Sequence, residues 1–390
     1  MAEELKFPDG FLWGSATASY QVEGGIENND WAQAAREGKV PAAGRACDQY
    51  NRYRDDFDIA KSLGQNAHRF SIEWARIEPE EGSFDEAAIE HYRGVLGALR
   101  ERGLEPFVTL WHFTLPVWFA RIGGFENKKA PFYFARYCEY VVKGLGDSAR
   151  FWMTINEPMI YASQGYFRGI WPPFSRNILK FKRVVDNLIT SHNIAYKKIK
   201  GMKSDLQIGI AKNNIDFDST RFNLVGQLVK FFGYFIWKHY FFKKIRSRQD
   251  FIGLNYYFHK HFGYKIYEEK SDMGSTIYSP AIHHVLTELK KYRKPVYITE
   301  NGIADATDAK RAEFIKEHLR WVHRAIHDGV DVRGYFYWSL LDNFEWDKGF
   351  KPRFGLVEMN YETMGRNIRP SAYEYARICK TNSIILDSNF

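Results

Sequence analysis

Two glutamates in this sequence follow short apolar segments that suit buried β-strands. Glu157 comes directly after "FWMTIN" (151–156), and Glu300 comes directly after "PVYIT" (295–299). When two carboxyl groups face each other, one can protonate a leaving oxygen while the other, ionised, attacks carbon or activates water. Burial and a neighbouring negative charge raise the pKa of one carboxyl group, whereas hydrogen bonds and a cation lower the pKa of the other. Such a pair suits the cleavage of a glycosidic bond.

Two further residues are candidates for holding the ionised carboxylate. Arg69 in "HRFSIEW" supplies a cation at the end of a second apolar run, and Tyr257 in "GLNYY" supplies a hydroxyl donor at the end of a sixth. Each has a plainer interpretation, as a strand-end ion pair and as a packing residue of a barrel wall. A lone Glu after a strand is commonly a solvated loop residue, and Pro158 is compatible with a simple turn in "NEP". Two glutamates at facing strand ends favour chemistry without settling it.

The elements that must position these residues are eight apolar runs separated mostly by segments of helical periodicity. The runs are 11–19, 67–72, 106–112, 151–156, 207–213, 251–257, 295–299 and 334–340. Segments 84–103 and 308–329 have apolar residues at three- and four-residue spacing, as amphipathic helices do. Continuous apolar runs are typical of parallel strands buried on both faces.

Eight strand-then-helix units predict the α/β class and a single (β/α)8 barrel, also called a TIM barrel, over residues 1–390. A doubly wound open sheet is the alternative, but the sequence has no GxGxxG turn of the kind that fold usually carries. In a barrel, functional groups lie where the strands end. We expect strands four and seven on opposite sides of the ring, so that Glu157 and Glu300 face each other across the central cavity.

Composition narrows the classes of function. The chain has 390 residues, 45% of them hydrophobic, which is enough for a large core. The net charge of +8 comes from scattered Lys and Arg, and without a nucleic-acid-binding motif it predicts no nucleic-acid partner. Three widely spaced cysteines, Cys47, Cys138 and Cys379, form no metal-binding pattern and fit a reducing compartment. The start "MAEELKFPDG" has no apolar signal region, so we expect a cytoplasmic protein.

Long motifs carry a family resemblance. They are "FLWGSATASYQVEGG", "HRFSIEWARIEPEEGSFD", "TINEP", "DFIGLNYY", "YITENG" and "YWSLLDNFEWDKGFKPRFGLVEMNYET". Together they resemble glycoside hydrolase family 1, which contains β-glucosidases, β-galactosidases and relatives, and the resemblance runs from about Phe7 to Ile378. It implies a retaining enzyme on a (β/α)8 barrel that needs no metal or organic cofactor.

The resemblance also implies roles for the polar residues. Glu157 would be the general acid/base and Glu300 the nucleophile, with Arg69 and Tyr257 keeping Glu300 ionised and oriented. A retaining mechanism expects the two carboxyl groups ~5–5.5 Å apart. Asn156, beside the acid/base, would support catalysis by binding the sugar 2-hydroxyl.

The same resemblance implies a sugar-binding set in which aromatic residues form a platform and polar residues bind hydroxyl groups. For the aromatic members, the plainer interpretation is core packing. An acid at Glu345 predicts a glycone without phosphate, because a carboxylate repels phosphate. The predicted set is Gln21, His112, Asn156, Asn255, Trp338, Glu345, Trp346 and Phe354.

The chain departs from the family pattern in three places. Loops within about 172–280 look shortened, which predicts a more open leaving-group side. Phe113 and Thr114 in "HFTLP" replace Trp and Asp of the commoner motif, so an indole N–H that could bind a sugar is missing. The segment 222–248 is rich in aromatics and ends with Lys243, Lys244, Arg246 and Arg248.

Two interpretations of 222–248 stay open. The plainer one is a barrel helix with a large buried face. The other is peripheral contact with a membrane, with aromatics at the acyl boundary and cations on anionic headgroups. In that case the enzyme would favour alkyl or lipid-linked glycosides.

The sequence thus predicts a retaining β-glycosidase with a small-molecule β-glycoside or an oligosaccharide as its partner. β-Glucosides without phosphate are the expected substrates, with β-galactosides or β-fucosides alongside. Transglycosylation is an alternative, since an open leaving-group side lets an alcohol compete with water. A non-catalytic sugar-binding protein is another, although such proteins tend to lose one of the two carboxylates.

Overall fold

The computed structural model describes residues 3–220, 223–262 and 269–386. The strands in these ranges are β1 (Glu3–Lys6), β2 (Leu12–Ala16), β3 (Ala67–Ser71), β4 (Glu105–Thr109), β5 (Phe151–Asn156), β6 (Gln207–Asn213), β7 (Asp216–Ser219), β8 (Ile252–Tyr256), β9 (His259–Phe262), β10 (Val296–Asn301), β11 (Val332–Trp338), β12 (Val357–Asn360), β13 (Gly365–Ile368) and β14 (Ser383–Leu386).

The helices alternate with these strands. They are α1 (Ser19–Val22), α2 (Asp30–Arg36), α3 (Gln49–Ser62), α4 (Trp74–Ile77), α5 (Glu86–Glu101), α6 (Val117–Arg121), α7 (Ala130–Leu145), α8 (Pro158–Ala162), α9 (Ile178–Met202), α10 (Leu224–Phe232), α11 (Tyr240–Ile245), α12 (Pro280–Leu289), α13 (Arg311–His327) and α14 (Pro370–Thr381). Short 3₁₀ turns cover Gly124–Glu126, Gly146–Ser148, Lys290–Tyr292 and Trp346–Lys348, and π-helical segments cover Ser163–Arg168 and Gly233–His239.

Eight parallel strands close into a barrel, which confirms the predicted (β/α)8 fold. In order around the ring they are β2, β3, β4, β5, β6, β8, β10 and β11, and β11 pairs with β2. Each contains or overlaps one of the eight apolar runs. Only β6 and β8 separate β5 from β10. The expectation that Glu157 and Glu300 stand on opposite sides is therefore wrong in detail, because their strands are three positions apart.

Local sequence explains the two helices predicted most directly. In α5, Asp85 caps the first turn by accepting hydrogen bonds from the backbone N–H groups of Ala87 and Ala88. Helix α13 ends at His327, and Gly329 follows with φ = +85°, a left-handed conformation that favours glycine. Both helices bury their apolar faces against the barrel, as the periodicity predicts.

The barrel interior is filled by rings in the amino-terminal halves of its strands. Phe107 stacks on Phe151 with centroids 4.3 Å apart, and Tyr297 lies 5.1 Å from Phe107. Fully burying a large apolar side chain stabilises a fold by about 1.5–3 kcal/mol. This packing fills the barrel between its two ends, so the space at the carboxyl ends of the strands is separate from the space at their amino ends.

The segment after β6 forms a small sheet outside the barrel. Strand β7 continues from β6 and pairs in parallel with β9, and α10 follows. Residue 222 of the aromatic segment lies outside the described residues. The prediction of a helix with a large buried face holds for Phe241 and Ile245, which are buried. It is wrong for the apolar residues from Leu224 to Ile236 that are exposed. Among the described residues, no helix combines the length and apolar character needed to cross a bilayer.

Candidate active site

A cavity of about 330 Å³ opens at the carboxyl ends of the barrel strands. Glu157 and Glu300 both line it, as the strand-end argument requires. Both side chains are buried. The predicted residues that line the same cavity are Gln21, His112, Asn156, Tyr257, Trp338, Glu345, Trp346 and Phe354.

Glu157 stands at the junction of a strand and a helix. It follows the last residue of β5, and Pro158 begins α8 directly after it. Its φ of +42° lies in the left-handed region, and two other cavity residues, Phe113 (φ +76°) and Trp346 (φ +51°), share this unusual backbone. Such non-glycine conformations cost about 1–3 kcal/mol and cluster at active sites. The fold therefore places strain where the chemistry is expected.

Glu300 lies inside the end of β10, not after it. Its Oε1 accepts a hydrogen bond from Arg69 Nη1, and its Oε2 accepts one from the Tyr257 hydroxyl at 2.7 Å. Arg69 reaches it from the middle of β3, so the expected strand-end position of Arg69 is corrected. Next to this carboxylate, a Cβ on Gly302 would lie 1.8 Å from the carbonyl oxygen of Trp338. Glycine there lets the chain pass close to the end of β11.

An amide network joins the two glutamates. Arg69 Nη2 donates to Asn156 Oδ1 at 2.7 Å, and Asn255 Nδ2 donates both to Asn156 Oδ1 at 3.2 Å and to Glu157 Oε1 at 2.9 Å. Thr299 fixes the orientation of Asn255, because its hydroxyl donates to Asn255 Oδ1 at 2.7 Å. Glu157 thus receives a neutral amide donor, whereas Glu300 receives a cation and a hydroxyl.

The environment favours the protonated form of Glu157. Burial, and next the charge of Glu300, raise the pKa of Glu157 to about 8, against the opposing effects of Asn255 and Arg69. Burial also raises the pKa of Tyr257 far above its usual value, so its hydroxyl keeps the proton that it donates to Glu300. Of this pair, Glu157 therefore lies in an environment that favours its protonated form, and Glu300 is in contact with a guanidinium cation.

The predicted sugar-binding residues divide into two groups. Asn255 was expected to contact the sugar, but it is not among the residues that line the cavity and instead donates to Glu157. The other members of the predicted set line the cavity. Gln21 does line the cavity, and its Nε2 is held by Asn343 Oδ1 at 3.0 Å and by the carbonyl of Phe344 at 2.7 Å. Its buried Oε1 has no hydrogen-bond partner among the described residues. This oxygen is positioned to accept a hydrogen bond from a ligand hydroxyl.

The protonation of His112 follows from its neighbours. Arg69 can only donate, so the Asn156 oxygen faces Arg69 and the Asn156 amide nitrogen faces His112 Nε2, at 3.1 Å. An amide nitrogen is a donor, so His112 Nε2 must be the acceptor of this bond. The imidazole proton therefore lies on Nδ1. Burial and the charge of Arg69 hold the pKa of His112 well below its usual value. A neutral imidazole therefore lies on the cavity wall, with Nε2 occupied by Asn156 and with a buried Nδ1–H that has no partner among the described residues and can donate to a ligand.

Flat rings form much of the remaining wall. The ring of His112 lies nearly parallel to those of Trp338 and Trp346, with centroids 6.1 Å and 6.0 Å away. Phe113, which stands where the commoner motif has Trp, packs 5.1 Å from both Trp346 and Trp171. Such apolar ring faces suit the C–H face of a sugar ring.

Glu345 adds a third carboxyl group to the cavity. Burial, followed by the charges of Glu300 and Glu157, raises its pKa to about 8. Its Oε2 is buried and has no hydrogen-bond partner within the described parts of the chain. A ligand hydroxyl can satisfy this group whether it is protonated or ionised.

Sequence comparison identifies the family. Residues 3–221 and 259–384 match the profile described as "Glycosyl hydrolase family 1". The chain belongs to glycosyl hydrolase family 1. The match leaves out 222–258, which includes the aromatic segment.

Relatives of this family 1 hydrolase cover almost its whole length. β-Glucosidase A of Acetivibrio thermocellus is 34% identical over 444 aligned positions, covering 97% of this chain and 99% of the relative. A β-glycosidase structure from Pyrococcus horikoshii has a TM-score of 0.90 and 40% identity, covering 98% of this chain and 96% of the other. A β-glucosidase from Thermotoga maritima, solved in complex with glucoimidazole, has a TM-score of 0.92 and 32% identity, covering 97% and 100%.

Sequence reasoning missed several residues of this family 1 site. Asn213, the last residue of β6, lines the cavity and lies close enough to lower the pKa of Glu157. Its position at the end of the fifth apolar run was the available signal. Trp171 also lines the cavity, and its Nε1 donates to Asp347 at 2.7 Å. Nothing in the sequence linked Trp171 to Asp347.

Lys212 is a further residue that sequence reasoning missed. It is fully buried, and its Nζ donates to the carbonyls of Asn213 and Trp237 at 3.0 Å and 2.6 Å and to Asn214 Oδ1 at 2.8 Å. A lysine inside the run "QIGIAKN" was the only hint, because lysine is almost never fully buried unless it is paired.

Proposed function

We propose that this family 1 hydrolase is a retaining β-glycosidase acting on β-glucosides without phosphate, and on β-galactosides or β-fucosides alongside them. Glu300 is the nucleophile and Glu157 the general acid/base. The Acetivibrio relative is named a β-glucosidase, which favours hydrolysis over the transglycosylation and the non-catalytic sugar binding that the sequence left open.

The reaction proceeds in two displacements. Glu300 attacks the anomeric carbon while the bond to the leaving oxygen breaks, and Glu157 gives its proton to that oxygen. The product is an ester between the sugar and Glu300. Glu157, now a carboxylate, takes a proton from water, and the water oxygen attacks the same carbon. The ester bond breaks, Glu300 returns as a carboxylate, and Glu157 holds a proton again.

The observation that carries this assignment is the unequal set of donors around two glutamates in one cavity. Arg69 and Tyr257 donate to Glu300, which suits an ionised nucleophile. Glu157 is buried beside that negative charge, and this environment keeps it protonated. When Glu300 becomes an ester, its charge disappears, so the pKa of Glu157 falls. The fall suits its change from acid to base.

Substrate recognition follows from the same wall. Asn156 and His112 supply two N–H donors and Gln21 supplies an acceptor for sugar hydroxyls, and Trp338 supplies the platform. Glu345 binds a distal hydroxyl. A phosphate group near Glu345 would be repelled by the ionised form of that buried carboxyl group and would further raise its pKa, which supports a glycone without phosphate.

Two broader expectations accompany the proposal. Residues 1–390 form one catalytic domain with shortened loops in about 172–280, and the leaving-group side is correspondingly open. The Acetivibrio alignment supports the shortening, because it spans 444 positions against 390 residues in this chain. A cytoplasmic location is supported by three buried, unpaired cysteines, which fit a reducing compartment.

Product stereochemistry tests the proposal. We expect proton NMR during hydrolysis of an aryl β-glucoside to show the β-anomer of glucose first, followed by mutarotation. The α-anomer appearing first would mean a single displacement by water and would overturn the assignment of Glu300 as nucleophile.

A further inference from the structure

The most unusual surface of the molecule is an apolar stripe along α10 and the π-helical segment Gly233–His239. Its side chains are between 51% and 77% exposed. Their spacing of three and four residues places them on one side of the helix. The stripe consists of Leu224, Val225, Leu228, Phe231, Phe232, Phe235 and Ile236.

The opposite side of this helix faces the protein and is largely polar or small. Gln227 Nε2 donates to the carbonyls of Ser219 and Thr220 at 3.3 Å and 3.2 Å, and Lys230 Nζ donates to Asp218 at 3.2 Å. A Cβ on Gly226 would lie 2.3 Å from Ser219 Oγ. A surface helix normally buries its apolar side, and here the contacts with β7 hold the helix the other way round. Exposed apolar patches of this kind mark interaction sites.

Charge indicates what covers the stripe. The sequence has no Asp or Glu between Asp218 and Asp250. Lys243, Lys244 and Arg246 lie beyond the stripe on the same helical run, are exposed, and form no ion pair with any described acid. An apolar stripe followed by unpaired cations matches an anionic lipid surface. A second copy is a poorer match, because its own stripe also offers no acid to these cations.

The two strands on which the stripe's helix packs start at the wall of the cavity. Strand β7 continues from β6 past Asn213, and β9 follows Phe258; both of these residues line the cavity. Other exposed apolar side chains, Phe167, Ile178 and Leu179, belong to the segments that follow β5 at the same end of the barrel. The stripe also falls within 222–258, an internal stretch that the family match leaves out.

We propose that the stripe docks on an anionic lipid surface, with its apolar side chains at the acyl boundary and the cations from Lys243 to Arg246 on the headgroups. Docking there turns the cavity towards the lipid, so the enzyme takes β-glycosides whose leaving group is an alkyl or lipid chain. The substrate class rests on the proposed function, whereas the docking does not.

Vesicle sedimentation tests the docking. We expect the full chain to bind vesicles of phosphatidylcholine with phosphatidylglycerol at low salt, to bind less at moderate salt, and to bind weakly to phosphatidylcholine alone. The triple variant Phe231→Ser/Phe232→Ser/Phe235→Ser should lose about a hundredfold in partitioning, because the exposed rings supply the buried area. The double variant Lys243→Glu/Lys244→Glu should bind anionic vesicles equally weakly at low and at moderate salt, because it loses the salt-dependent part of the binding.

Phe132→Ser is the matched control, since Phe132 is an exposed phenylalanine on α7, and it should bind as the unaltered chain does. Thermal unfolding checks that each variant is folded. No binding of the unaltered chain to anionic vesicles at low salt would overturn the proposal. So would a dimer in sedimentation velocity that the triple variant abolishes, because the stripe would then be an interface between copies.

Kinetics on the vesicle surface test the substrate class. We expect the triple variant to lose about tenfold in kcat/KM for a long-chain alkyl β-glucoside presented in anionic vesicles, with kcat/KM for a water-soluble aryl β-glucoside unchanged. Equal effects on both substrates would contradict the substrate class. Failure of the proposed function is distinct, because the unaltered chain would then hydrolyse neither glucoside while vesicle binding persisted.

Discussion

Glu157 and Glu300 line the same cavity but receive different hydrogen-bond donors. Asn255 donates to Glu157, whereas Arg69 and Tyr257 donate to Glu300. The two side chains are chemically identical, so their separate roles must come from these neighbours and from burial. The division of roles between acid and nucleophile depends on this difference.

The raised pKa of Glu157 predicts an alkaline limit to activity. A general acid works only when it is protonated, and Glu157 is protonated below its pKa of about 8. We therefore expect kcat/KM for an alkyl β-glucoside to fall as the pH rises through about 8. A rate that rises through this pH would contradict the acid role.

The contribution of Glu300 to that pKa can be measured directly. In Glu300→Gln the neighbouring negative charge is gone, so the pKa of Glu157 should fall. Carbon NMR of labelled glutamate in the two proteins measures it, with Glu157→Gln assigning the signal. An unchanged pKa would mean that burial alone raises it.

Replacing the acid predicts a dependence on the leaving group. Glu157→Gln cannot supply a proton, so an alkyl glucoside should lose more than about a hundredfold in kcat/KM, within the range typical of general acid catalysis. An aryl glucoside whose leaving group needs no proton should lose far less in the first displacement. Equal losses across a series of leaving groups would remove Glu157 from the acid role.

The Tyr257 hydroxyl predicts a moderate catalytic effect. Tyr257→Phe removes one donor from Glu300, and a hydrogen bond to a charged group is worth about 1.5–3 kcal/mol, so kcat/KM should fall about tenfold to a hundredfold. Tyr256→Phe is the matched control, because the Tyr256 hydroxyl donates to the carbonyl of Tyr278. Similar losses in both variants would indicate a structural effect.

Lys212 predicts an effect on stability. Lys212→Met leaves three oxygen acceptors without their donor, at Asn213, Asn214 and Trp237. The free energy of unfolding should fall by about 1–3 kcal/mol for each acceptor that finds no water. Lys128→Met, at an exposed position, should change it little. Denaturant titration of both variants measures the difference, and equal stabilities would contradict a structural role for Lys212.

The fold was predictable because parallel strands buried on both faces leave a simple pattern. Runs such as "FWMTIN" and "PVYIT" have no polar alternation, and all eight became barrel strands. The positions of Glu157 and Glu300 at one end of the barrel followed from the same pattern. Their spacing around the ring also follows from the order of the runs, since the fourth and seventh strands are three positions apart, whereas opposite strands in an eight-strand ring are four apart.

The parts that sequence reasoning missed depend on contacts between distant residues. Asn255 looked like a sugar ligand, but Thr299 turns its amide towards Glu157. The stripe from Leu224 to Ile236 has the periodicity of a buried helix face, and that periodicity is equally compatible with burial or exposure. Only the packing of Gln227 and Lys230 against β7 decides that the apolar side points outwards.

Covalent trapping tests the central claim most directly. A 2-deoxy-2-fluoro β-glucoside with a good leaving group should glycosylate the nucleophile and leave an ester stable enough for peptide mass spectrometry. Fluorine slows both displacements, and the good leaving group restores the rate of the first only. We predict that the sugar is found on Glu300, with turnover restored by slow hydrolysis. A label on any other residue, or rapid turnover with no ester in a protein that retains both glutamates, would contradict the account.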